Sequence, residues 1–223
     1  TKPPGEPEAS APPARETKRG DGMAMILASQ SPRRRELLGQ MGFSFTVRPA
    51  RGEELPHPEL TPAQLVEELA RQKALEVSAE AASDDVVVAA DTVVAIDGKV
   101  LGKPHDKVHA AQMLSALSGR EHTVYTGVAV KRGEKLLVEH EATLVRFRPL
   151  TQREIHLYIQ TGEPMDKAGG YGIQGYGALL VEGIRGDYFN VVGLPICRLG
   201  RMLAQVGEDA LARCAETCVE KER

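Results

Sequence analysis

Apolar and polar positions alternate in short blocks along most of the chain, and the blocks change period as they go. Residues 25–28 form a short apolar run that predicts a strand. Ser31 followed by Pro32 then reads as a helix start, with Leu37 and Leu38 on its inner face. Residues 43–47 predict a second strand, and Thr61-Pro62 opens a long helix whose Leu65, Val66, Leu69 and Leu75 fall near a 3.6-residue period. The run 86–90 predicts a buried strand that continues extended through 93–96 into an Asp97-Gly98 turn. A helix is expected over 106–117, ended by Gly119. Stretches 124–130 and 136–147 flank Arg132-Gly133 as a hairpin, and Thr151-x-x-Glu154 is a capping box for another helix. A glycine-rich stretch, 169–177, leads to a strand at 178–184, and helical sequence from about residue 194 closes the chain. Strands and helices mixed in this way, with a hairpin among them, predict an α/β fold with a mixed sheet.

Residues 1–22 break the pattern. They contain five prolines, four cations and four anions, but no Val, Ile, Leu or aromatic residue. Nothing there offsets the entropy of ordering, so a disordered tail is expected, with one domain over 23–223. The whole chain has 28 Lys and Arg against 31 Asp and Glu, a formal net charge of −3. Such weak acidity argues against a protein that coats nucleic acid. The longest apolar run, 86–96, is interrupted by Asp91 and falls short of the ~18 residues of a membrane helix, so neither nucleic acid nor membrane is an expected partner. Three cysteines, Cys197, Cys214 and Cys218, cannot all pair with one another, and a reducing cytoplasm is the expected compartment.

Three stretches hold candidate chemistry. Arg33, Arg34 and Arg35 crowd a first helical turn where the macrodipole disfavours cations by ~0.3–1 kcal/mol each. Either that turn is a solvated basic helix end, or it holds an anion with the Ser29 and Ser31 hydroxyls and backbone N–H groups. Asp91 is a carboxylate inside an apolar run, costly unless paired, hydrogen-bonded or metal-bound. It sits either at an exposed strand end or where ligands bind α/β sheets. The third stretch, 162–175, contains a literal G-x-G-x-x-G that fails as a dinucleotide fingerprint, because no strand immediately precedes it and no long helix follows. Its glycines suit a close backbone approach to a ligand, or a structural loop, and Gln174 presents a paired donor and acceptor to a base edge. Residues 98–103 resemble a phosphate loop but are one residue short and are followed by Pro104, although Lys103 remains able to reach a phosphate. Lys73 lies within the long helix. His105 and His109 have i,i+4 spacing without further ligands, which reads as a polar helix face.

Taken together, the blocks LASQSPRRRELL (27–38), EELARQKAL (67–75), AADTVV (89–94), LGKP (101–104), LSGREHTVYTGVAV (117–130), GEPMDKAGGYGIQG (162–175) and GDYFNVVGLP (186–195) resemble the Maf family. These are nucleoside triphosphate pyrophosphatases related in fold to the inosine triphosphate pyrophosphatases. The resemblance implies a two-lobed α/β body with a long mixed central sheet and a deep cleft, often dimeric. It implies hydrolysis of a nucleoside triphosphate to monophosphate and pyrophosphate with a divalent cation, Mg²⁺ or Mn²⁺. The family's general base falls on Asp91 and its specificity positions on Arg33, Thr92 and Gln174. Further cleft positions fall on Ser29, Arg34, Glu53, Lys73, Lys103, Asp166 and Lys167. The form of the 162–175 block is similar to the subgroup acting on dTTP and UTP. Proton transfer from bulk water to an ordinary Asp spans about 12 pKa units, roughly 16 kcal/mol, so a metal must acidify the water or Asp91 must act as a metal ligand, with Glu53 or substrate phosphate completing the shell. Two rival readings stand beside this one: the same enzyme with another base preference, and a regulator of cell division that binds nucleotide without turnover.

Overall fold

A computed structural model of the chain describes residues 24–52 and 57–221, with side chains to residue 215. The expected tail, Glu53 and Cys218 therefore lie outside the described residues or side chains. The strands are β1 (Met25–Leu27), β2 (Thr46–Val47), β3 (Val86–Ile96), β4 (Lys99–Leu101), β5 (Glu121–Arg132), β6 (Lys135–Phe147) and β7 (Val181–Arg185). The α-helices are α1 (Pro32–Gln40), α2 (Pro62–Ser78), α3 (Lys107–Leu117), α4 (Gln152–Gln160), α5 (Tyr188–Val192), α6 (Ile196–Gln205) and α7 (Ala210–Lys221). One mixed sheet runs in the order β2-β1-β3-β5-β6-β7, with β4 added beside β3. β1 is parallel to both β2 and β3, which follow it through helical crossovers, whereas every other pairing is antiparallel.

The 11-residue strand β3 contributes to three hydrophobic clusters. Val86, Val88 and Ala90 pack with Leu37 and Leu38 of α1 and Leu199, Met202 and Leu203 of α6. Val87 and Ala89, on the opposite face, meet Ala70, Ala74 and Val77 of α2. Farther along, Val94 and Ile96 join Leu114 and Leu117 of α3 and Ile155 and Ile159 of α4. Between the first two clusters and the third, the edge of β3 away from β5 changes partner. β1 pairs with Val86–Val88 and β4 with Val94–Ile96. No described strand pairs with that edge between these two segments, and only Asp91 and Thr92 in β3 escape full burial. The cleft of this molecule is that interruption.

Several expected elements shift. The strand expected at 43–47 shrinks to Thr46–Val47, because Phe43 and Phe45 are spent as core anchors rather than as ladder residues. Leu75 of α2 is 37% exposed, while the smaller Ala70 and Ala74 are fully buried. That helix lies too close to the sheet for a stripe of leucines. The hairpin strands run longer than the hydrophobic pattern suggests, and the turn is Gly133-Glu134. Residues 98–103 form not a phosphate loop but the β3–β4 hairpin, turning through Asp97 (φ 52°) and Gly98 (φ 72°). The strand expected at 178–184 begins only at Val181, after a 3₁₀ turn over Tyr176–Leu179. Helix α5 has five residues, too few to register as a period, and is started by the Asp187 carboxylate accepting from the Phe189 N–H at 2.8 Å.

Candidate active site

The interruption in the sheet opens into a cavity of about 1020 Å³. Asp91 and Thr92 form its floor, pointing to opposite faces of β3 as neighbours on a strand must. On the α2 face, Lys73 Nζ donates to Asp91 Oδ1 at 2.5 Å, with the two side chains only 20% and 14% exposed. Asp91 Oδ2 bonds to no described residue. The helix that delivers Lys73 can come this near because Gly127 stands opposite Asp91 in the β3–β5 ladder. A Cβ at Gly127 would overlap the Val66 carbonyl of α2 and lie 2.7 Å from the Glu67 nitrogen.

On the other face, Arg34 ties three segments together. Its guanidinium donates to the Gly193 carbonyl (2.7 Å), Ser29 Oγ (3.1 Å) and Thr92 Oγ1 (2.9 Å). Thr92 Oγ1 also shares a 2.9 Å hydrogen bond with Thr126 Oγ1, which donates to the Asn190 carbonyl. At least three of the five N–H groups of Arg34 are therefore used within the fold, so part of the basic first turn is answered by neutral oxygens. Ser31 caps α1, its Oγ accepting from the Arg34 N–H. Arg33 is answered differently: it pairs at 3.4 Å with Asp166, which also accepts from Lys167 Nζ at 2.7 Å. Burial pushes the Asp166 pKa up, but these two cations outweigh it and hold the carboxyl below its usual range. Lys103 and the Gln174 amide line the cavity and bond to no described residue.

Ser31 and every described site residue that the family resemblance implies thus line one cavity, whereas Arg35 lies exposed outside it; the lining residues are up to 145 positions apart, from Ser29 to Gln174. The described lining carries five Lys and Arg against three carboxylates, a positive surplus. Sequence reasoning passed over Glu163, whose carboxylate accepts from the Tyr158 hydroxyl and the Tyr176 and Gly177 N–H groups. Burial raises the Glu163 pKa, yet those three donors hold it below the ordinary carboxylate range. Burial, aided by the same carboxylate, pushes the Tyr158 hydroxyl up and keeps it a donor. Also missed were His57 and Tyr171, which line the cavity, and His122, whose Nε2 meets the Tyr171 hydroxyl at 2.7 Å. No such signal marks His122 in the sequence, where it stands among Arg120, Glu121 and Thr123; only the fold buries it. His105 and His109 stay on the surface and stack at 4.1 Å, as a polar helix face should.

Residues 24–206 match the family described as "Maf-like protein". The chain belongs to that family. Among Maf-like relatives, a protein of Moorella thermoacetica named dTTP/UTP pyrophosphatase is 54% identical over 85% of this chain and 98% of its own length. One of Symbiobacterium thermophilum with the same name is 54% identical over 82% of this chain and 94% of its own. A third, from Bacillus pumilus, is 53% identical over 82% and 96%. The cleft, the mixed sheet and the matched span coincide, so the α/β architecture with a mixed central sheet expected of a Maf-like chain is the one observed. No helix among the described residues is long and apolar enough to cross a membrane.

Proposed function

We propose that this protein hydrolyses the nucleoside triphosphates dTTP and UTP to monophosphate and pyrophosphate in the cleft beside β3. The observation that carries this is the Lys73–Asp91 pair on the floor of a cation-lined cavity, in a chain half identical to relatives named dTTP/UTP pyrophosphatase. Water has to attack the α-phosphorus while pyrophosphate leaves, so positioning and charge neutralisation are the main demands. Asp91 orients the attacking water and takes its proton, and Lys73 fixes the carboxylate's direction. Lys103, Lys167 and Arg33 meet phosphate oxygens, the last two once Asp166 yields them. Ser29, Ser31, Arg34 and Thr92 keep the floor rigid through the hydrogen bonds described above. Gln174 accepts from N3–H of a uracil or thymine and donates to its O4.

A divalent cation belongs to this proposal. Among the described residues no three His, Cys, Asp or Glu side chains converge on a point. That fits a cation arriving with its substrate, since Mg²⁺ commonly takes one or two carboxylates plus phosphate oxygens and water. Asp91 Oδ2 is the open donor, and Glu53 or a substrate phosphate oxygen completes the ligand set. When bound, such a cation acidifies water and screens phosphate charge. A homodimer and a cytoplasmic location are part of the same reading, the first to be measured by sedimentation.

The test is pyrophosphate release from a panel of canonical and modified triphosphates, with Mg²⁺ and with Mn²⁺. Release from UTP and dTTP above the other bases is expected. Nucleotide binding without pyrophosphate release overturns the proposal in favour of a regulator.

A further inference from the structure

The glycine-rich segment between α4 and β7 folds around a single carboxylate. Glu163 Oε1 accepts from the Tyr158 hydroxyl at 2.8 Å and the Gly177 N–H at 2.9 Å, and Oε2 from the Tyr176 N–H at 2.8 Å. The Tyr158 hydroxyl in turn accepts from the Gly172 N–H at 3.1 Å. The chain is therefore pinned at Gly172 and again at Tyr176 and Gly177, and Gln174 is slung between the pins. A Cβ on Gly175 would overlap Glu163 Oε2, one on Gly172 would overlap the Lys167 stem, and one on Gly177 would lie 2.5 Å from the Gly172 carbonyl oxygen. Those glycines make room for the collar around Glu163. Of the two expectations from sequence, close approach to a ligand or a structural loop, these contacts support the loop.

We infer that Glu163 is a positioning residue for base recognition, shaping the 172–177 loop so that Gln174 meets the nucleobase. The inference rests on the proposed nucleotide site and deepens it. The carboxylate is suited to this because an ionised acid accepts at both oxygens without a proton of its own, and charge-assisted hydrogen bonds are about twice as strong as neutral ones. An amide in its place keeps the volume but turns a donor toward a backbone N–H that needs an acceptor.

The experiment compares wild type, Glu163→Gln and Tyr158→Phe in three readouts. For Glu163→Gln, KM for UTP should rise about tenfold, as loss of a charged hydrogen bond implies, with kcat kept within about threefold. Inhibition by inorganic triphosphate, which has no base, should be unchanged. Tyr158→Phe, which leaves the carboxylate in place, should give a smaller rise in the same direction. Hydrogen exchange at the Tyr176 and Gly177 amides should accelerate in Glu163→Gln by about tenfold or more. Unchanged exchange, unchanged KM in both variants, or inorganic triphosphate weakening in step with UTP would overturn the inference. If wild type releases no pyrophosphate from UTP, the enzyme reading falls, and calorimetric UTP binding then replaces KM beside the exchange data. A tenfold loss of UTP affinity in Glu163→Gln supports the inference, and no loss overturns it.

Discussion

Replacing Gly127 with alanine should damage both stability and catalysis, through one displacement. Gly127 faces Asp91 across the β3–β5 ladder, and α2 crosses directly above it. An added Cβ would sit 2.7 Å from the Glu67 nitrogen and closer still to the Val66 carbonyl. These are backbone atoms, so no rotamer relieves the overlap. Restoring an ordinary separation of ~3.5 Å from the Val66 carbonyl oxygen, 2.1 Å from the added Cβ, requires α2 to lift by about 1.4 Å. That movement loosens Ala70 and Ala74, both fully buried against β3 and β5. Overpacking costs ~1–3 kcal/mol, and a backbone clash belongs at the upper end. At ~2–4 °C per kcal/mol for a domain of this size, Tm should fall by about 6–12 °C. The same lift withdraws Lys73 from Asp91. A misplacement of ~1 Å can cost about 10²-fold in rate, so kcat for pyrophosphate release should drop ~10- to 100-fold at a temperature where the variant is fully folded. Calorimetry and a pyrophosphate assay on the same preparation check both. A variant with wild-type Tm and kcat would refute the close-approach reasoning, and a lowered Tm with intact kcat would refute its link to Lys73.

Asp91→Asn should reduce pyrophosphate release by about 10²- to 10⁴-fold with the circular dichroism spectrum unchanged, and near-wild-type turnover would remove Asp91 from the chemistry. Gln174→Glu should alter the ranking among UTP, dTTP and CTP in kcat/KM, since it exchanges an amide donor for an acceptor; an unaltered ranking would take Gln174 out of the readout. Chelation by EDTA should abolish release and added Mg²⁺ or Mn²⁺ restore it, whereas full activity in EDTA would refute the cation requirement. His122 is held neutral by burial, its pKa lowered from 6.5 to about 4. The unfolded chain then binds the extra proton first, so stability should fall as pH drops from about 6.5 to 4, by roughly 3 kcal/mol. Urea unfolding across that range should show the slope in wild type and lose it in His122→Gln.

The sequence alone determined much of this protein, because the relevant physics is local. Ser31-Pro32, Thr61-Pro62 and Thr151-x-x-Glu154 each start a helix with their own side chains, and each does so where the pattern places it. An acid in an apolar strand marked Asp91, since burying a charge demands a partner within reach. What that partner would be was not legible. Lys73 is 18 positions away on a helix, and only the packing of α2 over Gly127 brings the two together. Tertiary structure also decided that the cleft lies along one edge of β3, where no described strand pairs with it between β1 and β4, a fact of strand pairing that no single segment encodes. It also gathered the glycines of 172–177 into a collar on Glu163. Hydrophobic period and capping depend on neighbours along the chain, so they can be read from it; pairings between distant charges and backbones depend on how closely the layers pack, which the folded molecule alone sets.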